Sequence, residues 1–245
     1  MRRTAFLLYG LFVYIVSFLT LCYLIGFVGN LYVPKSVDIG PISSIKKALL
    51  INILLLAIIF LQHTAMAREK FKSWICQFIP ETIERSTFCL LSSLSFLLLF
   101  WQWRPITGVV WSIETRVVSI IIDLLFYSGW ILALYSTFMI NHFHLFGLRQ
   151  VYMNFKAGAV SSIGFKIRGP YKYVRYPILL GFLIALFSAT NMTVGHLLFS
   201  LSLSFLIING IRLKDKEFLR LHSKKFLAYK NRVNAIIPVR LIMKK

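Results

Sequence analysis

The distribution of basic residues along this chain constrains its fold more than any other sequence feature. Five long apolar runs separate six polar segments, and lysine and arginine concentrate in alternate segments. The first, third and fifth of these segments, together with the tail, hold 23 of the 28 basic residues: Arg2 and Arg3, 68–85, 149–175 and the tail from Arg212. Cytoplasmic loops of integral membrane proteins carry this excess of positive charge. The pattern therefore predicts a multi-pass membrane protein with both termini in the cytoplasm, in a bacterial inner membrane.

Composition supports the same class of protein. The chain is 58% hydrophobic, whereas about 45–50% apolar residues is usual for a soluble domain. Its formal net charge of +20 lies next to the predicted spans, which favours contact with anionic lipid headgroups over nucleic acid. We therefore expect membrane lipids as partners, no nucleic acid and no obligatory protein partner. The three scattered cysteines form no CxxC pair and predict neither a disulfide framework nor a metal site.

The apolar runs predict the number of spans. About 20 apolar residues cross the hydrocarbon core, and four runs meet that length: 4–28, 48–66, 86–103 and 117–140. The stretch from Pro177 to Ile211 is too long for one upright span and short for two. Asn191-Met192-Thr193 near its middle favours a hairpin of two short helices, which returns the basic tail to the cytoplasm. The predicted fold is all-α and polytopic, with five to six transmembrane helices in one domain over residues 1–245.

Two flanking features refine this prediction. Trp101, Trp103 and Trp111 lie around the outer end of the third span, where an aromatic belt is expected at the membrane surface. The tail at 214–230 interleaves charged and apolar residues. This pattern is typical of an amphipathic helix, which would lie against the membrane or close a cofactor pocket.

Four clusters of polar residues fall at the predicted cytoplasmic ends of the spans: 62–68, 141–144, 169–177 and 212–217. Ionisable groups at membrane depth are costly and tend to mark function, so the clusters predict a cytoplasm-facing pocket for a polar ligand. Structural alternatives stay open. His63 fits equally an interfacial histidine bonded to a carbonyl, and Arg175 fits a positive anchor before Pro177 at a helix start. Since His142 and His144 lie on different helix faces, we expect at least one to be solvated.

These clusters also carry a resemblance to a known family. Residues 171–181, YKYVRYPILLG, resemble the Arg-His-Pro-x-Tyr-x-Gly signature of the isoprenylcysteine carboxyl methyltransferase and phospholipid methyltransferase superfamily. Longer stretches resemble its methanethiol S-methyltransferase branch, close to the NnrU-like membrane proteins. These stretches are GFVGNLYVPKSVD (26–38), QHTAMAR (62–68), ERSTFCLLSSLSFLLLFWQWRP (84–105), STFMINHFHLFGLRQVY (136–152) and MTVGHLLF (192–199). The likeness thus covers nearly the whole chain.

The resemblance implies methyl transfer from S-adenosylmethionine to a small thiol, such as methanethiol, giving dimethyl sulfide. It places cofactor binding in the part at about 149–240, with the C-terminal tail closing the pocket. The cofactor-binding residues that it implies are Tyr173, Arg175, Tyr176, Pro177, Leu180, Gly181, Asp215, Tyr229 and Arg232. The candidates for orienting or deprotonating the thiol are His63, Asn141, His142 and Arg175. No metal is required, because the sulfonium methyl is already activated and the enzyme has to position the reactants.

The sequence departs from the family pattern in its cofactor part. Tyr176 stands where the signature has histidine, and Leu179 where it has tyrosine. Lys214-Asp215 replaces two adjacent glutamates, and His222-Ser223 replaces Phe-Gly. Tyr176 retains a hydrogen-bond donor but cannot carry a positive charge. Lys214 reverses the charge at a place where a cationic ligand is expected.

Two other functions remain open on the sequence. The first is an NnrU-like haem protein of redox or isomerase type, with His63 as an axial ligand and His142 or His196 opposite. The second is a degenerate family member without catalysis, which would act through lipid or protein contacts. The changes at Tyr176 and Lys214 are its support.

Overall fold

The computed structural model describes residues 1–158 and 167–238 of the chain. Long helices dominate this part, and one small sheet pairs β1 with β2. The elements in chain order are α1 (Arg2–Gly29), α2 (Ile45–Met66), α3 (Glu69–Ile75), α4 (Glu81–Gln102), β1 (Val109–Ser112), α5 (Arg116–Ile140), α6 (His142–Leu145), α7 (Leu148–Phe155), a 3₁₀ turn (Gly169–Lys172), α8 (Pro177–Phe187), β2 (Asn191–Thr193) and α9 (Val194–Arg232).

The helices confirm the predicted all-α membrane fold. Among the described residues, five helices are long and apolar enough to cross a membrane: α1, α2, α4, α5 and α9. The chain forms two compact units. Unit 1 holds residues 1–111, 142–158 and 192–199, and unit 2 holds residues 112–141, 167–191 and 200–238.

Unit 1 is organised around α4, which packs against both α1 and α2. Hydroxyl groups bridge α1 and α4: the Tyr9 and Thr87 hydroxyls lie 3.0 Å apart, and Ser93 donates to Ser17 at 3.1 Å. Lipid is as apolar as the side chains that it contacts, so helices in a bilayer associate through packing and such interhelical hydrogen bonds. These bonds therefore set how α1 lies along α4.

Unit 2 is built on close packing of α5 against α8. Gly129 and Gly181 meet at the crossing, where a Cβ on Gly129 would lie 2.7 Å from the Gly181 carbonyl oxygen. Ala133 and Ala185 line the same contact. Small residues let two membrane helices approach until their backbones touch, so this contact requires glycine at both positions.

The predicted hairpin of two short helices has the expected break near 191–193, but the prediction is wrong about the length of the second helix. The chain leaves α8 at Phe187 and begins α9 at Val194, and the Thr193 hydroxyl accepts a hydrogen bond from the His196 N–H at 3.0 Å, as an N-cap does. The 11 residues of α8 rise about 16 Å, roughly half of the hydrocarbon thickness. However, α9 has 39 residues, because no helix breaker separates its apolar part from the amphipathic tail. It bends at His222 and Ser223, whose backbone angles are not helical.

The aromatic-belt prediction is wrong for one of its three tryptophans. Trp101 is exposed, but only 1% of Trp103 is accessible. The Trp103 indole donates to the Val37 carbonyl at 2.9 Å, and its ring meets the edges of Phe27 and Phe199. Trp103 is therefore a core residue of unit 1, because the 26–38 segment folds over the end of α4 and supplies its hydrogen-bond acceptor.

Candidate functional site

The carboxylate of Asp215 is the centre of the predicted cofactor region in unit 2. Its Oδ1 accepts a hydrogen bond from the Tyr176 hydroxyl at 2.6 Å. Its Oδ2 pairs with the Arg175 guanidinium at 3.3 Å and with the Lys230 ammonium at 3.0 Å. The Arg175 and Asp215 side chains are only 8% and 12% exposed. A buried charge is retained when it is paired and hydrogen-bonded, and Asp215 meets that condition with three donors.

Arg175 also binds the end of α9 and the residues that follow it to the segment just before α8. Its Nη1 donates to the carbonyl oxygens of Lys230 and Val233, both at 3.1 Å. The backbone N–H of Arg175 donates to Asn234 at 2.9 Å, and that of Tyr176 donates to Ala235 at 3.0 Å. The last carbonyls of a helix lack intrahelical partners, so Arg175 acts as a side-chain cap of α9. These contacts pack the end of α9 and the residues that follow it onto the 169–177 segment.

Two tyrosines strengthen this attachment. The Tyr229 hydroxyl donates to the Tyr171 carbonyl at 2.6 Å, while the Tyr171 hydroxyl donates to the Ser136 carbonyl of α5 at 3.3 Å. Burial raises the pKa of the Tyr171 phenol, because a phenolate is poorly solvated there. Tyr171 therefore stays a protonated donor at physiological pH. Below these bonds, Phe226, Tyr229 and Val233 form a small buried core.

The two most conspicuous departures from the family pattern have different partners. Burial, followed by the hydrogen bond to Asp215, raises the pKa of Tyr176, so its hydroxyl remains a donor as predicted. Lys214 instead bonds to Glu217 at 2.6 Å, in a pair whose side chains are 48% and 27% exposed. Its charge is thus offset one helical turn away, by a residue other than Asp215.

The remaining predicted cofactor residues of unit 2 lie in different surroundings. Tyr173 is 71% exposed, Arg232 is exposed at the end of α9, and Leu180 is half-buried. Pro177 is buried as the first residue of α8, where its fixed φ suits a helix start. Gly181 lies in the α5–α8 contact, and that packing explains the glycine without a ligand.

The predicted catalytic residues are divided between the two units. Arg175 and Asn141 belong to unit 2, and Asn141 follows the last residue of α5. His142 belongs to unit 1, where it is buried, and its Nε2 lies 3.0 Å from the Tyr14 hydroxyl. Burial lowers the pKa of His142, so this imidazole is neutral at pH 7. The predicted convergence of all four polar clusters on one pocket stays a prediction.

His63, near the end of α2 in unit 1, lies among aromatic rings. Its ring centroid is 5.4 Å from that of Phe88 and 6.3 Å from that of Phe96, both edge-on. The Nδ1 atom is shielded from solvent and has no hydrogen-bond partner in the described part of the chain. The alternative of a histidine satisfied by a backbone carbonyl therefore does not hold for Nδ1.

The geometry of unit 1 separates His63 from His196, one of the axial pairs considered for haem. His63 contacts Phe88 near the start of α4. Beyond the other end of α4, the Gly195 N–H donates to the Ile106 carbonyl, and His196 approaches Asp38 at 3.9 Å. The part of α4 between these places rises about 20 Å. One iron cannot take both imidazoles as axial ligands.

Sequence reasoning missed Lys230, the third donor to Asp215, and Tyr171, which anchors the tail to α5. Lys230 follows Tyr229, one of the cofactor-binding residues that the resemblance implies, and that adjacency was the available signal. For Tyr171 the sequence offers no comparable signal, because its carbonyl and hydroxyl act through tertiary contacts.

The residues of unit 2 fit a zwitterionic cofactor in one respect. The Nε of Arg175 is a buried cationic donor without a partner among the described residues. Such a donor suits a carboxylate, with which guanidinium forms strong charge-assisted hydrogen bonds. Tyr173, which directly follows the 3₁₀ turn, is exposed, and an exposed aromatic ring can stack on a heterocycle.

Comparison with known proteins identifies the family. No protein-family model and no solved structure matches the chain. It is 45% identical over 95% of its length to methanethiol S-methyltransferase 1 of Bradyrhizobium diazoefficiens, covering 82% of that protein. It is 43% identical over 97% of its length to the methanethiol S-methyltransferase of Crocosphaera subtropica, covering 93%. The corresponding protein of Mycobacterium tuberculosis is 39% identical over 97% of the chain and is covered to 98%. The chain therefore belongs to the methanethiol S-methyltransferase family.

Proposed function

We propose that this membrane protein transfers a methyl group from S-adenosylmethionine to methanethiol and releases dimethyl sulfide. The observation that carries the proposal is the similarity, at 39–45% identity over at least 95% of the chain, to three proteins named methanethiol S-methyltransferase. The intact hydrogen-bond network around Asp215 supports it, since the departures at Tyr176 and Lys214 leave that network closed.

S-adenosylmethionine would supply an activated methyl group on a sulfonium sulfur. The Nε of Arg175 would hold its carboxylate, and the Tyr173 ring would stack on its adenine. Asp215, already paired with Arg175, Tyr176 and Lys230, would keep the guanidinium in place. In this assignment Arg175 contacts the cofactor, and Asp215, Tyr176 and Lys230 are positioning residues. Tyr229 and the capped end of α9 would close the tail over the site.

His63 would take the proton of the thiol. A thiol is nucleophilic as the thiolate, and an imidazole with an unbonded ring nitrogen is free to act as a general base. The His142 imidazole is held by Tyr14 and kept neutral by burial, so we assign it a role in fixing α6 rather than in proton transfer. An apolar thiol can reach the end of α2 from the bilayer.

Product formation by the purified protein tests the proposed function. Protein in detergent is given S-adenosylmethionine and methanethiol, and dimethyl sulfide is measured by headspace gas chromatography, with S-adenosylhomocysteine binding followed by calorimetry. We expect dimethyl sulfide in amounts that depend on both substrates. Cofactor binding without product would favour the degenerate alternative, and a Soret band without cofactor binding would favour the haem alternative.

We further propose that both termini lie in the cytoplasm of a bacterial cell, on the strength of the charge distribution. Single cysteines are placed at the exposed residues Ser44, Ser73 and Ser112 in a cysteine-free background. A membrane-impermeant maleimide should label positions 44 and 112 in spheroplasts, and position 73 only after permeabilisation. Ser36 is unsuitable because it is buried, and Ser162 lies outside the described residues. Labelling of position 73 in sealed spheroplasts would overturn this orientation.

A further inference from the structure

His63 is one member of a preformed group in unit 1 that the Asp215 network does not use. The rings of Phe88 and Phe96 lie steeply inclined to the imidazole, at ring-centroid distances of 5.4 and 6.3 Å and interplanar angles of 70° and 87°. Buried polar atoms are ordinarily hydrogen-bonded, yet the shielded Nδ1 of His63 lacks a partner in the described part of the chain. An unpaired imidazole nitrogen beside an apolar wall suits a ligand that is apolar apart from one weak hydrogen-bonding group.

Hydrogen bonds hold this group in register. The Ser92 hydroxyl of α4 donates to the Gln62 side-chain carbonyl at 3.1 Å, and the Gln62 amide reaches the Met66 sulfur at 3.3 Å. Gln62 adjoins His63 in α2, and Ser92 lies midway between Phe88 and Phe96 in α4. The imidazole is therefore held opposite both rings without any ligand, which is the preorganisation that lowers the cost of binding.

A positive charge lies beside the same wall. The Arg85 guanidinium carbon is 4.8 Å from the Phe88 ring centroid, and the Arg85 Nε donates to the Leu145 carbonyl at 2.7 Å. This bond fixes the guanidinium while leaving its other N–H groups for further contacts. Positive charge lowers the pKa of a neighbouring thiol, so Arg85 favours the thiolate.

We propose that His63, Arg85, Phe88 and Phe96 form a seat for a small uncharged alkyl thiol, and that Phe96 sets the upper size of its alkyl group. The inference rests on the proposed function and specifies its acceptor site. Within this seat, the thiol S–H proton passes to the His63 imidazole, which leaves a thiolate beside the Arg85 guanidinium. The imidazolium then returns its proton to water.

Phe96 is the better choice for testing size selection, because Phe88 also stacks with Arg85. One methylene in an apolar pocket alters discrimination by about 10–200-fold. Shortening Phe96 should therefore admit ethanethiol while leaving the imidazole and the guanidinium in place. Phe12 of α1 provides a matched control, since its ring is 57% exposed on a different helix.

The test gives wild type, Phe96→Ala, Phe96→Leu and Phe12→Ala an equimolar mixture of methanethiol and ethanethiol with S-adenosylmethionine. Headspace gas chromatography measures the ratio of ethyl methyl sulfide to dimethyl sulfide. Calorimetry with S-adenosylhomocysteine verifies that each variant is folded. We expect the ethyl-to-methyl product ratio to rise about tenfold or more in Phe96→Ala, less in Phe96→Leu and not in Phe12→Ala.

Binding is read independently of turnover by NMR of protein carrying ¹³C-labelled histidine. Methanethiol added with S-adenosylhomocysteine should shift one imidazole signal, and that signal should be missing in His63→Asn. A wild type that makes no dimethyl sulfide would overturn the proposed function. Dimethyl sulfide from the wild type, combined with an unchanged product ratio in both Phe96 variants or an unshifted His63 signal, would overturn the seat alone.

Discussion

The Asp215 network of unit 2 and the His63 group of unit 1 differ in whether their polar atoms have hydrogen-bond partners. Asp215 accepts from three donors, and the Nη atoms of Arg175 donate to Asp215 and to two backbone carbonyls. The shielded Nδ1 of His63 has no hydrogen-bond partner among the described residues, and the ring is faced by phenylalanines. A satisfied network holds a structure together, whereas a shielded polar atom without a protein partner can form a hydrogen bond with a ligand. We therefore expect damage to unit 2 to appear in stability and cofactor affinity, and damage at His63 in turnover.

The substitution His63→Asn should have the largest effect, and it tests whether turnover depends on His63 while stability and cofactor affinity depend on unit 2. Loss of a general base costs about 10²–10⁴-fold in rate, so turnover with methanethiol should fall by that amount at pH 7. Because the thiolate fraction increases with pH, the variant should recover activity as the pH rises toward 9. Its affinity for S-adenosylhomocysteine and its thermal unfolding should match those of wild type. Equal losses of turnover and cofactor affinity would contradict the division of roles.

The next largest effect is expected for Asp215→Asn. The change leaves the buried Arg175 and its neighbour Lys230 without their counter-charge, and removing one partner of a buried ion pair costs about 3–5 kcal/mol. Unfolding in detergent, followed by differential scanning fluorimetry, should shift to a clearly lower temperature. Glu217→Gln is the matched control, since its exposed pair with Lys214 is worth at most about 1 kcal/mol. Similar melting temperatures for the two variants would mean that the Asp215 network does not stabilise the protein more than the exposed Lys214–Glu217 pair does.

Replacing Arg175 separates charge from geometry. Arg175→Lys keeps the charge but cannot reach Asp215, Lys230 and Val233 together, and each charge-assisted bond is worth about 1.5–3 kcal/mol. We expect about tenfold or more weaker binding of S-adenosylhomocysteine, along with faster tryptic cleavage after Lys224 and Lys225 as the tail detaches. Weaker binding without faster cleavage would mean that Arg175 contacts the cofactor but does not hold the tail. Unchanged affinity and cleavage would remove Arg175 from the site.

Tyr176→Phe should have a smaller effect. It deletes the hydroxyl that donates to Asp215 at 2.6 Å while Arg175 and Lys230 remain. The loss of one bond to a charged acceptor, about 1.5–3 kcal/mol at most, should lower stability less than Asp215→Asn does. Tyr176→His should retain more stability than Tyr176→Phe, since imidazole can also donate, and calorimetry and melting curves compare the three proteins. If Tyr176→Phe has the stability and the cofactor affinity of wild type, the tyrosine contributes through packing of its ring and not through the hydrogen bond to Asp215.

The smallest effect is expected at Lys214. Because it pairs with Glu217 at the surface, Lys214→Gln should change cofactor affinity less than twofold and stability by no more than about 1 kcal/mol. Lys214→Glu would face Glu217 and should be slightly destabilising, since like charges three residues apart repel. A large gain in cofactor affinity with Lys214→Glu would show that Lys214 repels the ligand after all.

Much of the candidate site could be predicted because its contacts are carried by recognisable segments. The resemblance at 171–181 and its implied cofactor residues include Arg175, Tyr176, Asp215 and Tyr229, and these residues take part in the hydrogen bonds that join the 171–177 and 212–232 segments. The partner of Lys214 could not be predicted with the same reliability. Residues Asp215 and Glu217 both lie nearby in the sequence, and the helical register of α9 decides between them.

Burial was harder to anticipate than secondary structure. Trp103 has the composition and place of a belt residue, but the 26–38 segment covers it and its indole bonds to Val37. His63 offers the converse case, in which an ordinary hydrogen bond to a carbonyl was one of two open alternatives and the packing of α2 on α4 surrounds the ring with Phe88 and Phe96 instead. In both cases the neighbours come from distant parts of the chain.

The sequence by itself determined that this chain has helices able to span a membrane and where four of them lie, because hydropathy acts through local composition. Which charged segments share a side stays a prediction from the charge distribution. The sequence also determined the family, since whole-length similarity is a property of the sequence. Only the tertiary structure decided that the buried Arg175 holds the tail and that Lys214 pairs with Glu217 at the surface. It also decided that the Nδ1 of His63 lacks a hydrogen-bond partner within the described part of the chain. These outcomes depend on which side chains meet across helices, and hydrogen-bond satisfaction is settled by such contacts alone.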